Sequence, residues 1–373
     1  MSTYLDLHVL QTVPPSNLNR DDTGSPKTAV FGGVRRARVS SQAWKRAMRL
    51  AFRDLIDQAQ LGDRTKKVVA LVTDEITRQA PDLKREEAAT MAAAVLLAAK
   101  IKTTVPKARS KDEKPGLGES GYLVFISRQQ VRSLAELAIT AHQSGEPIDT
   151  GEAKRRADTG HSVDIALFGR MVAEATDLSV DACAQVAHAL SVHGVDNEFD
   201  YFTAVDDKAP EDNAGAGMIG TVEFNSSTLY RYATLDLDRL AAALGDEVVT
   251  RQAVRAFVEA FITTMPSGKQ NTFANRTLPD AVVVQVREGQ PVNLVGAFEE
   301  PVPSGEHGRL VRSAELLAQR SAELDQAFGT TPRSTWVIAV GPAREPLAEM
   351  GTAVDLSGLL TAVGGLVPSL QPA

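Results

Sequence analysis

Apolar and polar residues alternate over residues 4–10 (Tyr4, Leu5, Asp6, Leu7, His8, Val9, Leu10), which predicts a first β-strand, followed by a loop rich in Pro, Asn, Gly and Asp through Gly33. The pattern then changes to a helical period. In SSQAWKRAMRLAFRD, Ser40 or Ser41 caps a helix with Gln42, Lys45, Arg49 and Arg53 on one stripe and Trp44, Met48, Ala51 and Leu55 toward another. From about residue 60 to 142 the chain reads helical (KKVVALVTDEITRQA, REEAATMAAAVLLAAK), broken by the polar run KARSKDEKPGLGES ahead of a short strand at Tyr122–Ile126. This region reads as an insertion. VDIALFGRM (163–171) takes an apolar run into a Gly-Arg-Met turn, and VDACAQVAHALSV (180–192) is expected to form an amphipathic helix ending at Gly194.

The next segment predicts an extended hairpin. Its β-rich arms, 199–205 and 218–224, flank a tip of Asp, Pro, Asn and Gly. LYRYATLDLD then reads as a strand, VVTRQAVRAFVEAFITT as a helix and AVVVQV as a strand. With the first strand and the basic helix, these elements predict an α+β fold: a βαββαβ ferredoxin-like core carrying large inserts. The last third, from about residue 290, is less regular apart from a helix near 312–328 and a strand at TWVIAV.

A length of 373 residues suggests two domains, and 43% hydrophobic with 23% charged residues points away from a disordered or membrane-embedded chain. The single cysteine, Cys183, excludes an internal disulfide framework and a cysteine-based zinc cluster, and it suits a reducing, cytoplasmic setting. Neither a signal sequence nor an apolar run long enough to span a bilayer is read, so no membrane association is expected.

Charge changes this reading most. From Arg20 to Arg53, nine Lys/Arg face only Asp21 and Asp22, whereas the whole chain has 40 basic and 47 acidic residues. Positive charge concentrated on one segment of an acidic protein points to a phosphate-rich partner. The flanking NLNRDD and FGGVRRARVSS segments add a Gly pair that lets backbone approach a ligand and arginines whose planar forks suit phosphate.

Other candidate chemistry is sparse. MPSGKQNT (265–272) departs from the phosphate-loop pattern at Thr263 and Gln270, so binding without hydrolysis is expected of it. His188 and His193 lie five apart, off the spacing that pairs two imidazoles on one helix face, and His8 reads as structural. Neither a nucleophile elbow nor a Cys/His pair is present. No catalytic residue, metal site or cofactor is predicted. The hairpin aromatics Phe199, Tyr201 and Phe202, with Thr203 and Val205, read as apolar wedges suited to unstacking bases.

With these residues laid out, the chain resembles the CasC family, the backbone subunit of the type I-E CRISPR surveillance complex Cascade. The resemblance is carried by SNLNRDD, FGG-RR-R-SSQ--KRAMR, VDIAL-GRM, DYFTAVDD, L-YRYA and GKQ-T, in the family's order over roughly residues 1–285. It implies an RRM-like palm (1–58, 160–192 and 228–373), helical fingers (59–159) and a thumb hairpin (193–227). The implied partners are CRISPR guide RNA, further copies of the chain, other Cascade subunits and, through guide pairing, target DNA in antiviral defence.

On this resemblance, Arg20, Ser40, Gln42, Lys45, Arg46 and Arg49 contact guide phosphates, and Lys269, Gln270, Asn271 and Thr272 form a second edge. Gly169, Arg170 and Met171 press on a displaced base, Phe202, Thr203 and Val205 wedge from the thumb, and Lys154, Arg155 and Arg156 touch DNA. The subunit is then expected to be non-catalytic. The alternative is a metal-dependent ribonuclease backbone subunit with Asp21 and Asp22 as its carboxylates.

Overall fold

The computed structural model describes residues 2–106, 116–171, 178–204, 218–305 and 308–367. In chain order its strands are β1 (Thr3–Ser16), β2 (Thr28–Phe31), β3 (Val34–Val39), β4 (Gly62–Thr65), β5 (Thr103–Thr104), β6 (Glu119–Ser120), β7 (Val124–Ser127), β8 (Ala184–Val186), β9 (Ala189–Ser191), β10 (Glu198–Ala204), β11 (Met218–Asp236), β12 (Ala281–Glu288), β13 (Ser334–Ala339) and β14 (Thr352–Ala353). The helices are α1 (Ser41–Leu55), α2 (Val68–Gln79), α3 (Arg85–Ala98), α4 (Arg128–Ser144), α5 (Thr150–Ala157), α6 (Val163–Phe168), α7 (Leu237–Leu244), α8 (Glu247–Thr263), α9 (Gln270–Phe273), α10 (Gly308–Phe328), α11 (Arg344–Leu347) and α12 (Leu356–Gly364). Contacts divide the chain into two units, one of residues 1–52, 185–238 and 254–366, the other of 53–184, 239–253 and 367–373. Among the described residues no helix is long and apolar enough to cross a membrane.

The first unit is built on a sheet in the order β14-β13-β12-β1-β11-β9-β3-β2, with β10 and β8 also paired to β11. Its centre, β12-β1-β11-β9, is antiparallel throughout and is compatible with the predicted βαββαβ core, α1 following β1 and α8 preceding β12. Alternation along β1 sends side chains to two buried layers. On one face Leu10 packs with Tyr230, Tyr232 and Val283 beneath Leu294, Phe298 and Leu317 of the C-terminal third. On the other, Arg231 of β11 meets Trp44 of α1 and Phe261 of α8. Pro14 and Pro15 fall where the β1–β11 register shifts, between Val13 and Ser16. Lacking an N–H, proline cannot donate to the ladder, so pairing is interrupted at Pro14 and Pro15 and resumes at Ser16↔Asn225 before the loop that follows.

The first face contains a buried polar network. Asp6 accepts hydrogen bonds from Tyr232 Oη (2.9 Å) and the Val292 N–H (2.8 Å), and Arg287 stands between Asp6 (3.5 Å) and Asp325 (2.6 Å). His8 stacks on Tyr232 at 5.2 Å and its Nδ1 lies 2.9 Å from Tyr230 Oη. Burial, reinforced by Arg287, lowers the His8 pKa to about 3.

The second unit centres on α2, α3, α4 and α5, whose apolar faces enclose Val72, Ile76, Val95, Leu134 and Ala138. Helix α4 begins with a reciprocal Ser127/Gln130 capping box and ends at Gly145, φ +71°.

Two local expectations are corrected. Residues 180–192 are not a helix: the chain forms β8 and β9, and the Ala187 N–H donates to the Tyr232 carbonyl while Ser191 pairs with Leu229. Small and β-branched residues fit beside a long neighbouring strand, and that pairing outweighs local helical propensity. On α1 the buried stripe is Trp44, Met48 and Phe52, an i, i+4, i+8 row, in place of the predicted Ala51 and Leu55.

Candidate nucleic-acid interface

Three segments distant in sequence meet in the first unit. Where β1 ends, Asn17–Pro26 forms a loop closed by a bridge between Arg20 and Pro26 and by the Lys27 N–H donating to the Asn19 carbonyl (2.9 Å). Its tip is rigid because the Asp21 carboxylate accepts from Thr23 N–H (2.9 Å), Thr23 Oγ1 (2.7 Å) and Ser25 N–H (3.0 Å). The Thr23 hydroxyl in particular holds the Asp21 carboxyl below its ordinary range. A turn so satisfied uses Asp21 as a brace.

Asn19 joins this loop to helix α1, its Oδ1 accepting the Ser40 N–H at 2.9 Å. Ser40 is buried and its hydroxyl accepts from the Ala43 N–H (3.3 Å), so it works as the cap that opens the helix. No acid stands in the first turn of α1. Instead Gln42 and Arg46 are exposed and Lys45 and Arg49 are half-buried. Cations near the positive end of a helix are unfavourable unless an anion joins them. Partial burial also lowers the Lys45 pKa, the response of an ammonium losing water.

The third segment is Ser267–Phe273. A Cβ on Gly268 would lie 2.3 Å from the Leu18 carbonyl oxygen, so only glycine permits this loop to rest on the first one. Between them opens a cavity of about 510 Å³ lined by Leu18–Gly24 and Gly268. Lys269 and Ala274 flank α9 in left-handed conformations, φ +50° and +46°, which leaves Gln270, Asn271 and Thr272 exposed. Asn19 thus ties the loop to the start of α1 and Gly268 rests on Leu18, so three segments that carry Arg20, Gln42, Lys45, Arg46 and residues 269–272 are joined through braced backbone, and such cationic and polar groups can hold phosphates without reading bases.

The two hairpin arms leave the same unit. Strand β10 pairs with β11 from Glu198↔Phe224 to Ala204↔Met218, and Phe224 packs on Phe273 at 5.7 Å. Phe202 lies over Gly220, where a Cβ would approach its ring to 2.4 Å, and is 37% exposed. Phe199 (68%) and Tyr201 (63%) are still more open. Thr203 is exposed, while Val205 lies outside the described residues. Strand alternation puts Phe199 and Tyr201 on one face of the arm and Phe202 on the other.

In the second unit Gly169 has φ +76°, and a Cβ there would meet the Val180 carbonyl oxygen at 2.7 Å. Met171 is 88% exposed. Arg170 corrects the expectation of an RNA contact. Its guanidinium is buried and donates to the carbonyls of Leu178 (2.7 Å) and Ala157 (3.1 Å) and to Asp158 (3.1 Å), so it holds the turn together. Arg155 and Arg156 both donate to Glu152, whose carboxyl is pushed down to about 2 by those bonds, and Arg156 also reaches the Ser133 carbonyl. Two of the three proposed DNA-contacting residues are therefore engaged on the protein's own surface, and Lys154 is half-buried.

Asn19 and Gly268, which the sequence marks only as members of the NLNRDD and MPSGKQNT segments, contribute backbone support and no charge.

No curated protein matches the chain. A chain from a solved structure described as "CRISPR RNA-guided surveillance complex, pre-nicking" superposes with a TM-score of 0.81 at 32% identity, covering 96% of this chain and 100% of that one. A second, described as "CRISPR RNA-guided surveillance complex", has a TM-score of 0.71 at 28% identity over 96% of this chain and 99% of its own. The sequence model of the family described as "CT1975-like protein" matches residues 5–361, and the chain belongs to that family.

Proposed function

We propose that this chain is a non-catalytic backbone subunit of a type I-E CRISPR surveillance complex. In this reading copies of it line up in the cytoplasm along one guide RNA, grip its phosphates without regard to sequence and present the spacer for pairing with target DNA. The observation that supports it best is the convergence of the Asn19-braced loop, the capped cationic helix and the Gly268–Thr272 edge on one surface. The likeness to chains of RNA-guided surveillance complexes supports the same assignment. A subunit that holds arbitrary spacers has to be sequence-blind, which cationic and backbone contacts to phosphate are, while base pairing supplies specificity.

The test is RNA binding by the full chain and by the Lys45→Ala/Arg46→Ala variant. Removing two phosphate contacts should lower affinity equally for unrelated sequences and flatten the log–log salt dependence by about 1.4, at about 0.7 per contact on a single strand. Unchanged affinity and slope would overturn the assignment.

A further inference from the structure

Glu223 is a carboxylate placed against the loop that carries the proposed phosphate site. It stands on β11 opposite Phe199 of β10, at the base of the hairpin. Its Oε1 accepts from Ser25 Oγ at 2.8 Å and its Oε2 from Asn197 Nδ2 at 3.1 Å. Its main-chain carbonyl accepts from the buried Asn17 Nδ2 (2.9 Å), which also donates to the Gly24 carbonyl (3.0 Å). Asn225 Nδ2 completes the set by donating to Asn197 Oδ1 at 3.0 Å. Ser25 is itself tied to Asp21 in both directions, its N–H donating to the carboxylate and its carbonyl accepting the Asp21 N–H at 2.9 Å.

An acid beside a polyanion is repelled. Glu223 nevertheless stands where its side chain joins the loop at Ser25 to the foot of β10 at Asn197. We propose that Glu223 is a positioning residue, a latch through which the loop at residues 18–24 and the hairpin arm orient one another. The inference rests on the guide-RNA reading for its ligand. Its mechanical content does not: three anchor points, Ser25, Asn197 and Asn17, fix the direction in which β10 leaves the palm. Because coupling is reciprocal, RNA bound at the loop also steadies the arm.

The experiment is amide hydrogen exchange of residues 198–204 in the full chain, with and without oligouridine, for wild type, Ser25→Ala, Ser25→Thr and Glu223→Ala. In the RNA-free protein, Ser25→Ala and Glu223→Ala should raise exchange in β10 about tenfold, the change expected from one net hydrogen bond, and Ser25→Thr should not. Oligouridine should slow β10 exchange in wild type and Ser25→Thr but not in Ser25→Ala, although affinity shifts less than about threefold. Unchanged RNA-free exchange in both Ala variants would overturn the latch, as would equal protection by RNA in wild type and Ser25→Ala. If wild type binds no oligouridine, the guide-RNA reading fails, and the RNA-free arm alone decides the latch.

Discussion

The guanidinium of Arg231 stands 3.8 Å from the centroid of the Trp44 ring. It also lies 4.7 Å from the Phe261 ring, and it donates to Gln11 Oε1 at 2.6 Å and to the Phe261 carbonyl. Burial lowers its pKa to about 9, so it is still charged at neutral pH. A cation between aromatic faces joins the middle of the sheet to the underside of the basic helix. Trp44→Ala is expected to lose about 3–5 kcal/mol in urea unfolding, and Trp44→Phe, which keeps a ring under the charge, less than half of that.

His8 predicts acid sensitivity. Its folded pKa of about 3 lies below the ordinary 6.5, so the unfolded chain binds the extra proton between those values. Stability from this residue is complete above pH 6.5 and is lost as pH falls, at up to about 1.4 kcal/mol per unit. Asp6, whose carboxyl is pushed up by burial, acts oppositely, its contribution being lost as pH rises. Subtracting the unfolding profile of His8→Gln from that of wild type between pH 7 and 5 isolates the histidine. A flat difference would refute the assignment.

Gly268→Ala tests the contact between the Asn17–Pro26 and Ser267–Phe273 loops. Its new methyl would meet Leu18 and Asn17 backbone at 2.3–2.7 Å, none of it a movable side chain. The expected loss is about 1–3 kcal/mol in thermal or urea unfolding, with weaker RNA binding at temperatures where the fold is intact.

At Ala274 the reverse change applies. A left-handed Ala costs about 1–2 kcal/mol that glycine avoids, partly offset by the greater freedom of glycine when unfolded. Ala274→Gly should therefore raise stability by up to about 1 kcal/mol, read as a higher urea midpoint.

In the second unit Arg170 and Met171 should part company. Arg170→Ala leaves two carbonyls and the partly exposed Asp158 without this donor and is expected to cost about 1–3 kcal/mol. Met171→Ala, almost fully in solvent, should leave the melting temperature unchanged and affect only RNA contacts.

Much of the fold was legible because amphipathic elements advertise themselves. Strand β1, helix α1, the two hairpin arms and helices α4, α8 and α10 each carry a period that burial on one side imposes. What escaped was decided by distant partners. Residues 180–192 look helical in isolation and become strands only because β11 offers its edge. The C-terminal third looked irregular, yet it covers the first face of the sheet, over the buried network of Asp6, His8 and Arg287. At the candidate site the cations were readable from charge density, whereas Asn19 and Gly268 act through backbone geometry that composition does not reveal. Arg170 belongs with them: a sequence shows an arginine in a turn but not the carbonyls that surround it.

Strand β11 runs unbroken for 19 residues from the hairpin arm through the core. Its alternation ties Phe224 against Phe273 to Tyr230 under the C-terminal layer and Arg231 under the helices. A single-residue insertion or deletion between Asn225 and Leu229 would invert one end relative to the other, exposing either the arm's packing face or the core's. Transplanting a longer or differently aimed arm onto this scaffold therefore demands an even change in residue count, a parity condition that holds irrespective of which amino acids are chosen.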